Sequence, residues 1–170
     1  MIDVVDEFLE DHLHHRMFEY CKSAKYRYGE CDEYGLPPVG MVSDIVPDGN
    51  KSPFDLFEDR IGGEFYPKHQ GCPYRMYINL FTPGEIPFWH KDGEQGTTFI
   101  YYPNMHWEPN MLGETQFLID GEITGILPKP NRLIGFDANI SHRATSFRSC
   151  LLYTSPSPRD VEESRMPSSA

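Results

Sequence analysis

Apolar side chains recur at helical spacing near the amino terminus of the chain. Leu9, Leu13, Met17 and Cys21 follow one another at intervals of four residues, so they share one face of a helix predicted over Leu9–Ala24. The β-branched run Ile2–Val5 that precedes it is typical of a short edge strand. We therefore expect this helix to pack onto a core, with the histidines that it carries at the surface: His12, His14 and His15.

Glycine and proline interrupt every periodic run between Lys25 and Pro73. The one helix predicted there is Ser52–Asp59, in which Ser52 is the N-cap and Pro53 occupies the first helical position. The remainder is expected to form long loops, which often line a substrate site when they surround a rigid scaffold.

Short β-rich runs separated by turn residues fill the chain beyond Pro73, which is typical of a sandwich or a barrel. The predicted strands are Tyr74–Phe81, Pro87–His90, Thr97–Tyr102, Glu114–Asp120, Glu122–Leu127, Arg132–Asp137 and Ser141–Phe147. These are one fewer than the eight antiparallel strands of a jelly roll, a fold that encloses a cavity at one mouth. The predicted fold class is mainly β with an N-terminal helix (α+β), a double-stranded β-helix or jelly roll that lacks its last strand.

Length, charge and cysteine content narrow the function classes. At 170 residues the chain fits one domain with a core of its own. The net charge of −11 and the scattered Lys and Arg argue against nucleic acid as a partner. The cysteines show no zinc-site or disulfide spacing, and reduced thiols are expected: Cys21, Cys31, Cys72 and Cys150. An acidic N-terminus and the lack of an apolar run of roughly 20 residues favour a cytoplasmic protein with no membrane contact.

Three residues offer the side chains of a metal site. His90 and Asp92 alternate at a predicted strand end, so both point to the same side, and His142 returns from a later strand. Two histidines and one carboxylate form the face that holds non-haem Fe(II) and leaves positions open for substrate and O2. A lone His-x-Asp pattern is equally compatible with a surface histidine beside a turn aspartate, so the pattern by itself does not decide.

The order of the motifs around these residues resembles that of the Fe(II)- and 2-oxoglutarate-dependent dioxygenases, in particular the prolyl-4-hydroxylase-like branch. The resemblance runs from about Tyr74 to Ser149 and rests on Asn79–Gly84, His90–Gly93, Ile100–Asn104 with Trp107, Gly113–Thr115 and His142–Arg143. It implies that His90, Asp92 and His142 are the catalytic metal ligands. It also implies Fe(II), the co-substrate 2-oxoglutarate and O2, and ascorbate is a further candidate.

The same resemblance implies which residues contact the co-substrate. Tyr102 matches a strand tyrosine whose hydroxyl contacts the distal carboxylate of 2-oxoglutarate, and on an alternating strand it shares a face with Ile100 and Thr98. Asn79 matches an asparagine that holds co-substrate in some relatives, and Thr115 is expected to line the same cavity.

The chain departs from the family where the distal carboxylate should be anchored. The family places an Arg or Lys about ten residues after the second histidine, because a cation fixes a planar carboxylate. Leu151 and Leu152 occupy that place here, and Arg148 is the nearest candidate to substitute, by way of a different chain path.

The segment from Cys150 to Ala170 is expected to lie outside the fold. It resembles a translated sequencing adapter, and serine- and proline-rich residues without apolar periodicity are typical of a disordered tail. On this interpretation residues 1–149 are a C-terminally truncated jelly-roll domain, residues 150–170 are an artefactual tail, and truncation impairs activity.

The predicted function is hydroxylation of an unidentified substrate, which leaves peptidyl proline, an amino acid and a small metabolite open. The expected partner is therefore a peptide or a small molecule, and no oligomeric state is predicted. The alternative is a jelly-roll protein that binds a metal or a ligand without catalysis.

Overall fold

The computed structural model describes residues 1–29, 31, 35–45, 53–64, 75–148 and 152–154. Its strands are β1 (Ile2–Val5), β2 (Arg27–Tyr28), β3 (Met41–Ile45), β4 (Met76–Phe81), β5 (Thr97–Tyr102), β6 (Thr115–Ile119), β7 (Glu122–Ile126), β8 (Arg132–Asp137), β9 (Ser141–Ala144) and β10 (Leu152–Thr154). Its helices are α1 (Asp11–Ser23), α2 (Pro53–Glu64) and a 3₁₀ helix at Pro109–Met111. Within this part of the chain, no helix has the length and apolar character that crossing a bilayer requires.

The strands form two antiparallel layers around an interior. One layer joins the sheets β10-β4-β3-β2 and β1-β8-β5, because β10 lies against β5 as well as pairing with β4. The other layer is β7-β6-β9, which an isolated bridge between His90 and His142 extends by one position. Aromatic and aliphatic side chains of β5, β6 and β8 meet between the layers. The predicted mainly β jelly roll with an N-terminal helix is confirmed.

The expected loss of the last strand is corrected by β10. Leu152, Tyr153 and Thr154 pair antiparallel with Phe81, Leu80 and Asn79 of β4. The Ser/Pro-rich composition of the whole tail misled the prediction, because these three residues alone have good β propensity and β4 offers unpaired backbone groups at that edge. The rest of the predicted tail lies outside the described residues.

Two other elements differ from the predictions. The segment Pro87–His90 is not a strand, because its contact with the small sheet is limited to the bridge at His90. The strands β2 and β3 fall in the segment that was expected to contain loops, since they are too short to show an alternating pattern between the glycines and prolines. The predicted helix at Ser52–Asp59 is present as α2 and continues to Glu64.

Both helices cover the outer face of the larger layer. Met17 and Cys21 of α1 and Phe57 of α2 are buried in one cluster with Ile78 of β4 and Tyr101 of β5. Burial raises the pKa of the Cys21 thiol to about 12, so this cysteine behaves as an unreactive apolar side chain. Cys21 and Cys31 are free thiols, as expected, and the other two cysteines lie outside the described residues.

His14 corrects the expectation that all three helix histidines are at the surface. His12 and His15 are exposed, but His14 is buried. Its Nε2 lies 3.1 Å from the carbonyl oxygens of both Pro103 and Asn104, just after β5. This contact fixes α1 against the end of the strand that carries Tyr102.

Asn131 joins the amino-terminal segment to the strands that form the interior. Its Oδ1 accepts hydrogen bonds from the Leu9 backbone nitrogen at 2.9 Å and the Tyr101 hydroxyl at 3.0 Å, and its Nδ2 donates to the Leu9 carbonyl at 2.6 Å. Its backbone nitrogen donates to the Tyr102 carbonyl at 3.0 Å. Its φ of 57° is one that asparagine tolerates better than most residues.

We expect Asn131→Gly to lower the free energy of unfolding by about 3 kcal/mol, because it leaves three buried polar groups without partners. Glycine keeps the positive φ accessible, so the loss reports the side-chain hydrogen bonds rather than backbone strain. Chemical denaturation measures the change, with the exposed Asn139→Gly as the matched control. Equal stability of the two variants would contradict this role of Asn131.

Candidate metal centre

A reciprocal backbone pair brings the two predicted metal-ligating histidines together. The His90 nitrogen donates to the His142 carbonyl at 3.1 Å, and the His142 nitrogen donates to the His90 carbonyl at 2.9 Å. The two imidazole rings consequently lie with their centroids 4.4 Å apart. The segment after His90 is fixed to the turn before β9, because the nitrogens of Asp92 and Gly93 donate to the Ala138 carbonyl at 3.0 and 3.3 Å.

The third predicted ligand, Asp92, completes the cluster. Its Oδ1 lies 3.9 Å from Nε2 of His90, and its Oδ2 lies 3.5 Å from Nε2 of His142. One ligand atom from each of the three residues lies within 4.8 Å of the others, and among the described residues this is the one His, Cys, Asp or Glu group with such geometry. The exposed fractions of the side chains are 14% for His90, 1% for Asp92 and 6% for His142.

The hydrogen bonds of the two imidazoles present their Nε2 atoms as ligands. Nδ1 of His90 lies 2.9 Å from the Phe88 carbonyl oxygen, and Nδ1 of His142 lies 3.0 Å from the Ile140 carbonyl oxygen. A carbonyl oxygen only accepts, so each Nδ1 donates its proton and each neutral ring keeps a lone pair on Nε2. Metal-ligating histidines generally have their second nitrogen bound in this way. The donor set therefore fits a divalent metal such as Fe(II).

The wall beside His142 is aromatic. The Phe136 ring meets the imidazole edge to face at 4.7 Å, and the Phe117 ring lies at 6.1 Å in a stacked orientation. Both phenylalanines are buried. An apolar wall lowers the local dielectric constant, which strengthens the interaction of the ligands with a cation.

Thr98 contacts the carboxylate ligand directly, a contact that the sequence analysis did not predict. Its hydroxyl donates to Asp92 Oδ2 at 2.6 Å, and the threonine side chain is buried. Strand alternation had placed Thr98 on the same face as Tyr102, which was a signal that it points into the interior. Alternation along a strand gives no position for Asp92, because Asp92 lies in a loop.

Tyr102 and Thr115 meet in the interior of the fold. Their hydroxyl oxygens are 2.6 Å apart, and both side chains are buried. Burial raises the pKa of Tyr102 well above its ordinary value, against the smaller opposing effects of the Thr115 hydrogen bond and the charge of Arg132. The tyrosine hydroxyl therefore stays protonated at neutral pH and is available as a donor.

The cation beside Tyr102 is already paired. Nε and Nη2 of Arg132 donate to the carboxylate of Asp6 at 2.6 and 2.9 Å, and Nη1 donates to the Leu127 carbonyl at 3.0 Å. The hydrogen bond from Arg132 is the main cause that lowers the pKa of Asp6. This pair ties the end of β1 to the start of β8.

The other two predicted co-substrate residues, Asn79 and Arg148, differ in their position and exposure. Asn79 is half-buried on β4. Met76, Ile78 and Leu80 of the same strand pack towards the helices, and Asn79 alternates with them, so it faces the interior between the two layers. Arg148 is exposed, and its backbone nitrogen donates to the Met111 carbonyl at 3.0 Å. Its role toward the co-substrate stays a prediction.

A cavity of about 400 Å³ lies on the outer face of the small sheet. Trp107, one of the motif residues of the family resemblance, lines this cavity together with Gln116 and Arg143. The Arg143 guanidinium lies 4.5 Å from the centre of the Trp89 ring and donates to Gln116 Oε1. Gln116 alternates with Thr115 along β6, and Arg143 alternates with His142 along β9, so the sheet separates this cavity from the metal centre.

No protein-family model and no curated protein matches the chain. Among solved structures, a prolyl-4-hydroxylase from Pseudomonas putida is similar with a TM-score of 0.67 and 15% identity, over 94% of this chain and 92% of that one. A Trichoplax adhaerens prolyl hydroxylase, in complex with a peptide fragment of the hypoxia inducible factor oxygen degradation domain, gives a TM-score of 0.73 and 13% identity over 91% and 80%. An oxidoreductase of the 2OG-Fe(II) oxygenase family from Burkholderia pseudomallei gives 0.70 and 12% over 91% and 82%. The chain therefore has the jelly-roll fold of 2-oxoglutarate- and Fe(II)-dependent oxygenases.

We expect the chain to bind one divalent metal ion, and we expect His142→Ala or Asp92→Ala to abolish binding because each removes a ligand. Titration with Co(II), followed by its visible absorption, measures the stoichiometry and the affinity. His12→Ala is the matched control, since His12 is an exposed histidine on α1. If His12→Ala weakened binding as much as His142→Ala, the metal would lie elsewhere.

Proposed function

We propose that this chain is an Fe(II)- and 2-oxoglutarate-dependent oxygenase that hydroxylates a peptide or a small molecule. The observation that carries the proposal is the convergence of His90, Asp92 and His142, whose ligand atoms lie within 4.8 Å of one another. The similarity in fold to prolyl hydroxylases supports it, because the three side chains are the donor set that such iron chemistry needs.

The three ligands would hold the iron through Nε2 of each histidine and the carboxylate of Asp92. When bound, iron and 2-oxoglutarate would activate O2, which is the oxidant: one oxygen atom goes into 2-oxoglutarate to give succinate and CO2, and the other enters a C–H bond of the substrate. The chain's own residues would bind and orient the metal, the co-substrate and the substrate, and would exclude water from the site. Its backbone bridge and the Nδ1 hydrogen bonds hold the imidazoles in place before any ligand arrives.

The hydroxyls of Tyr102 and Thr115 would bind the distal carboxylate of 2-oxoglutarate. One of the two hydroxyls donates to the other, so the pair has one O–H group left to donate. A carboxylate oxygen that accepts a hydrogen bond in a buried site binds more strongly than it does in water. Asn79 faces the same interior from β4 and would add an amide donor.

The substrate would approach on the side of His90, which is the most exposed of the three ligands. The exposed Phe88 lies two residues before it in the chain and offers apolar surface there. The Trichoplax adhaerens neighbour is in complex with a peptide, so a proline-containing peptide is the first substrate to test. Free amino acids and small metabolites are the next.

The placement of Arg148 favours one alternative, a jelly-roll protein that binds metal without turnover. Arg148 is exposed, and Arg132, which pairs with Tyr102 across the sheet, is held by Asp6. A site in which neutral donors alone meet the distal carboxylate would bind 2-oxoglutarate more weakly than one with a bidentate cation. Turnover therefore distinguishes the two functions.

The proposal predicts succinate formation from 2-oxoglutarate when the purified chain is incubated with Fe(II), ascorbate and O2. Adding a proline-containing peptide should raise the rate and give a product heavier by one oxygen atom. Succinate is measured by chromatography and the peptide by mass spectrometry.

Two variants separate the roles of the site residues. Asp92→Ala should abolish turnover because it removes a metal ligand, whereas Tyr102→Phe should raise the KM for 2-oxoglutarate about tenfold, as expected for losing one hydrogen bond to a charged group. A chain that binds one metal ion but forms no succinate with any substrate would support the alternative.

A further inference from the structure

We infer that Thr98 is a positioning residue for the metal ligand Asp92, and this inference rests on the proposed function. Its hydroxyl would hold one carboxylate oxygen, so that the other is presented to the metal. The two residues are six positions apart in the chain, and no motif in the sequence links them.

The hydrogen bond has the geometry of a strong, charge-assisted contact. Thr98 Oγ1 lies 2.6 Å from Asp92 Oδ2, within the range of roughly 2.5 to 2.7 Å that is typical of a hydroxyl donating to a carboxylate. The Asp92 side chain is 1% exposed and Thr98 is fully buried. Solvent therefore cannot readily replace the hydroxyl as a partner of Oδ2.

The two ends of this contact differ in how firmly the fold holds them. Thr98 lies within β5 and pairs with Phe136 of β8, and its neighbours Thr97 and Phe99 pair with β8 as well, so its backbone is fixed by that strand. Asp92 lies in the segment between the His90 bridge and β5, and its backbone is held by the bond to the Ala138 carbonyl. That bond fixes the position of the residue but leaves its carboxylate free to turn about the side-chain torsions. Thr98 removes this freedom.

The orientation matters for how many metal positions the carboxylate takes. The Thr98 hydroxyl occupies one acceptor position of Oδ2, whereas Oδ1 lies 3.9 Å from Nε2 of His90. A carboxylate that binds through one oxygen occupies one position of the metal. A carboxylate that turned to chelate through both would occupy a position that a bidentate co-substrate needs.

The test compares Co(II) affinity and the Co(II) visible absorption spectrum of the wild-type chain with those of Thr98→Val, Thr98→Ser and Thr97→Val. Valine has the shape of threonine without its hydroxyl, and we expect Thr98→Val to bind about 10- to 100-fold more weakly with an altered spectrum. Thr98→Ser keeps the hydroxyl and should retain the wild-type affinity and spectrum. Thr97→Val makes the same change at the neighbouring position, which faces the other side of β5, and should leave both unchanged.

Circular dichroism establishes that each variant is folded before it is titrated, and Thr98→Ala replaces Thr98→Val if the valine variant does not fold. Wild-type affinity and spectrum in the folded variant without the hydroxyl would overturn the inference and leave the proposed function standing. Failure of the wild-type chain itself to bind Co(II) would overturn the proposed function and this inference together. Loss of affinity in Thr98→Ser equal to that in Thr98→Val would show that packing, and not the hydroxyl, is responsible, which also overturns the inference.

Discussion

The paired backbones of His90 and His142 bring together two segments that are distant in the chain. Neither segment would place a metal ligand correctly by itself, since His90 lies outside any strand and His142 lies at the second residue of β9. Two hydrogen bonds of 3.1 and 2.9 Å join them, and the resulting register puts both imidazoles on the interior side with Asp92 between their Nε2 atoms. Because side chains alternate along a strand, a slip of one residue would turn His142 to the outer face and would destroy the site.

Polar contacts surround this pair in the part of the chain that the structure describes. Thr98 meets Asp92, Tyr102 meets Thr115, and each imidazole Nδ1 meets a carbonyl. Phe117 and Phe136 fill the space beside His142. Such an interior binds a cation strongly because the ligands are oriented and partly desolvated in advance, so the metal does not have to reorganise them.

The sequence predicted those elements whose structure is determined by residues close to them in the chain. Turn residues and alternation located β5 and β8 at their observed bounds, and the His-x-Asp pattern with its surrounding motifs identified the three residues that converge. The predictions failed where a contact depends on distant partners. The short strand β3 forms because β4 pairs with it, and β10 forms because β4 and β5 leave a place for it. His14 is buried because the end of β5 offers two carbonyl oxygens, which nothing in the helix itself indicates.

The central claim is that His90, Asp92 and His142 hold a metal that in turn binds 2-oxoglutarate inside this fold. Calorimetric titration of 2-oxoglutarate into the chain, with and without Mn(II), tests it most directly, because Mn(II) accepts the same ligands. The account predicts that 2-oxoglutarate binds the Mn(II)-loaded chain with one site and at least about tenfold more tightly than the metal-free chain, with a reciprocal increase in Mn(II) affinity. Equal affinity of 2-oxoglutarate for the two forms would contradict it.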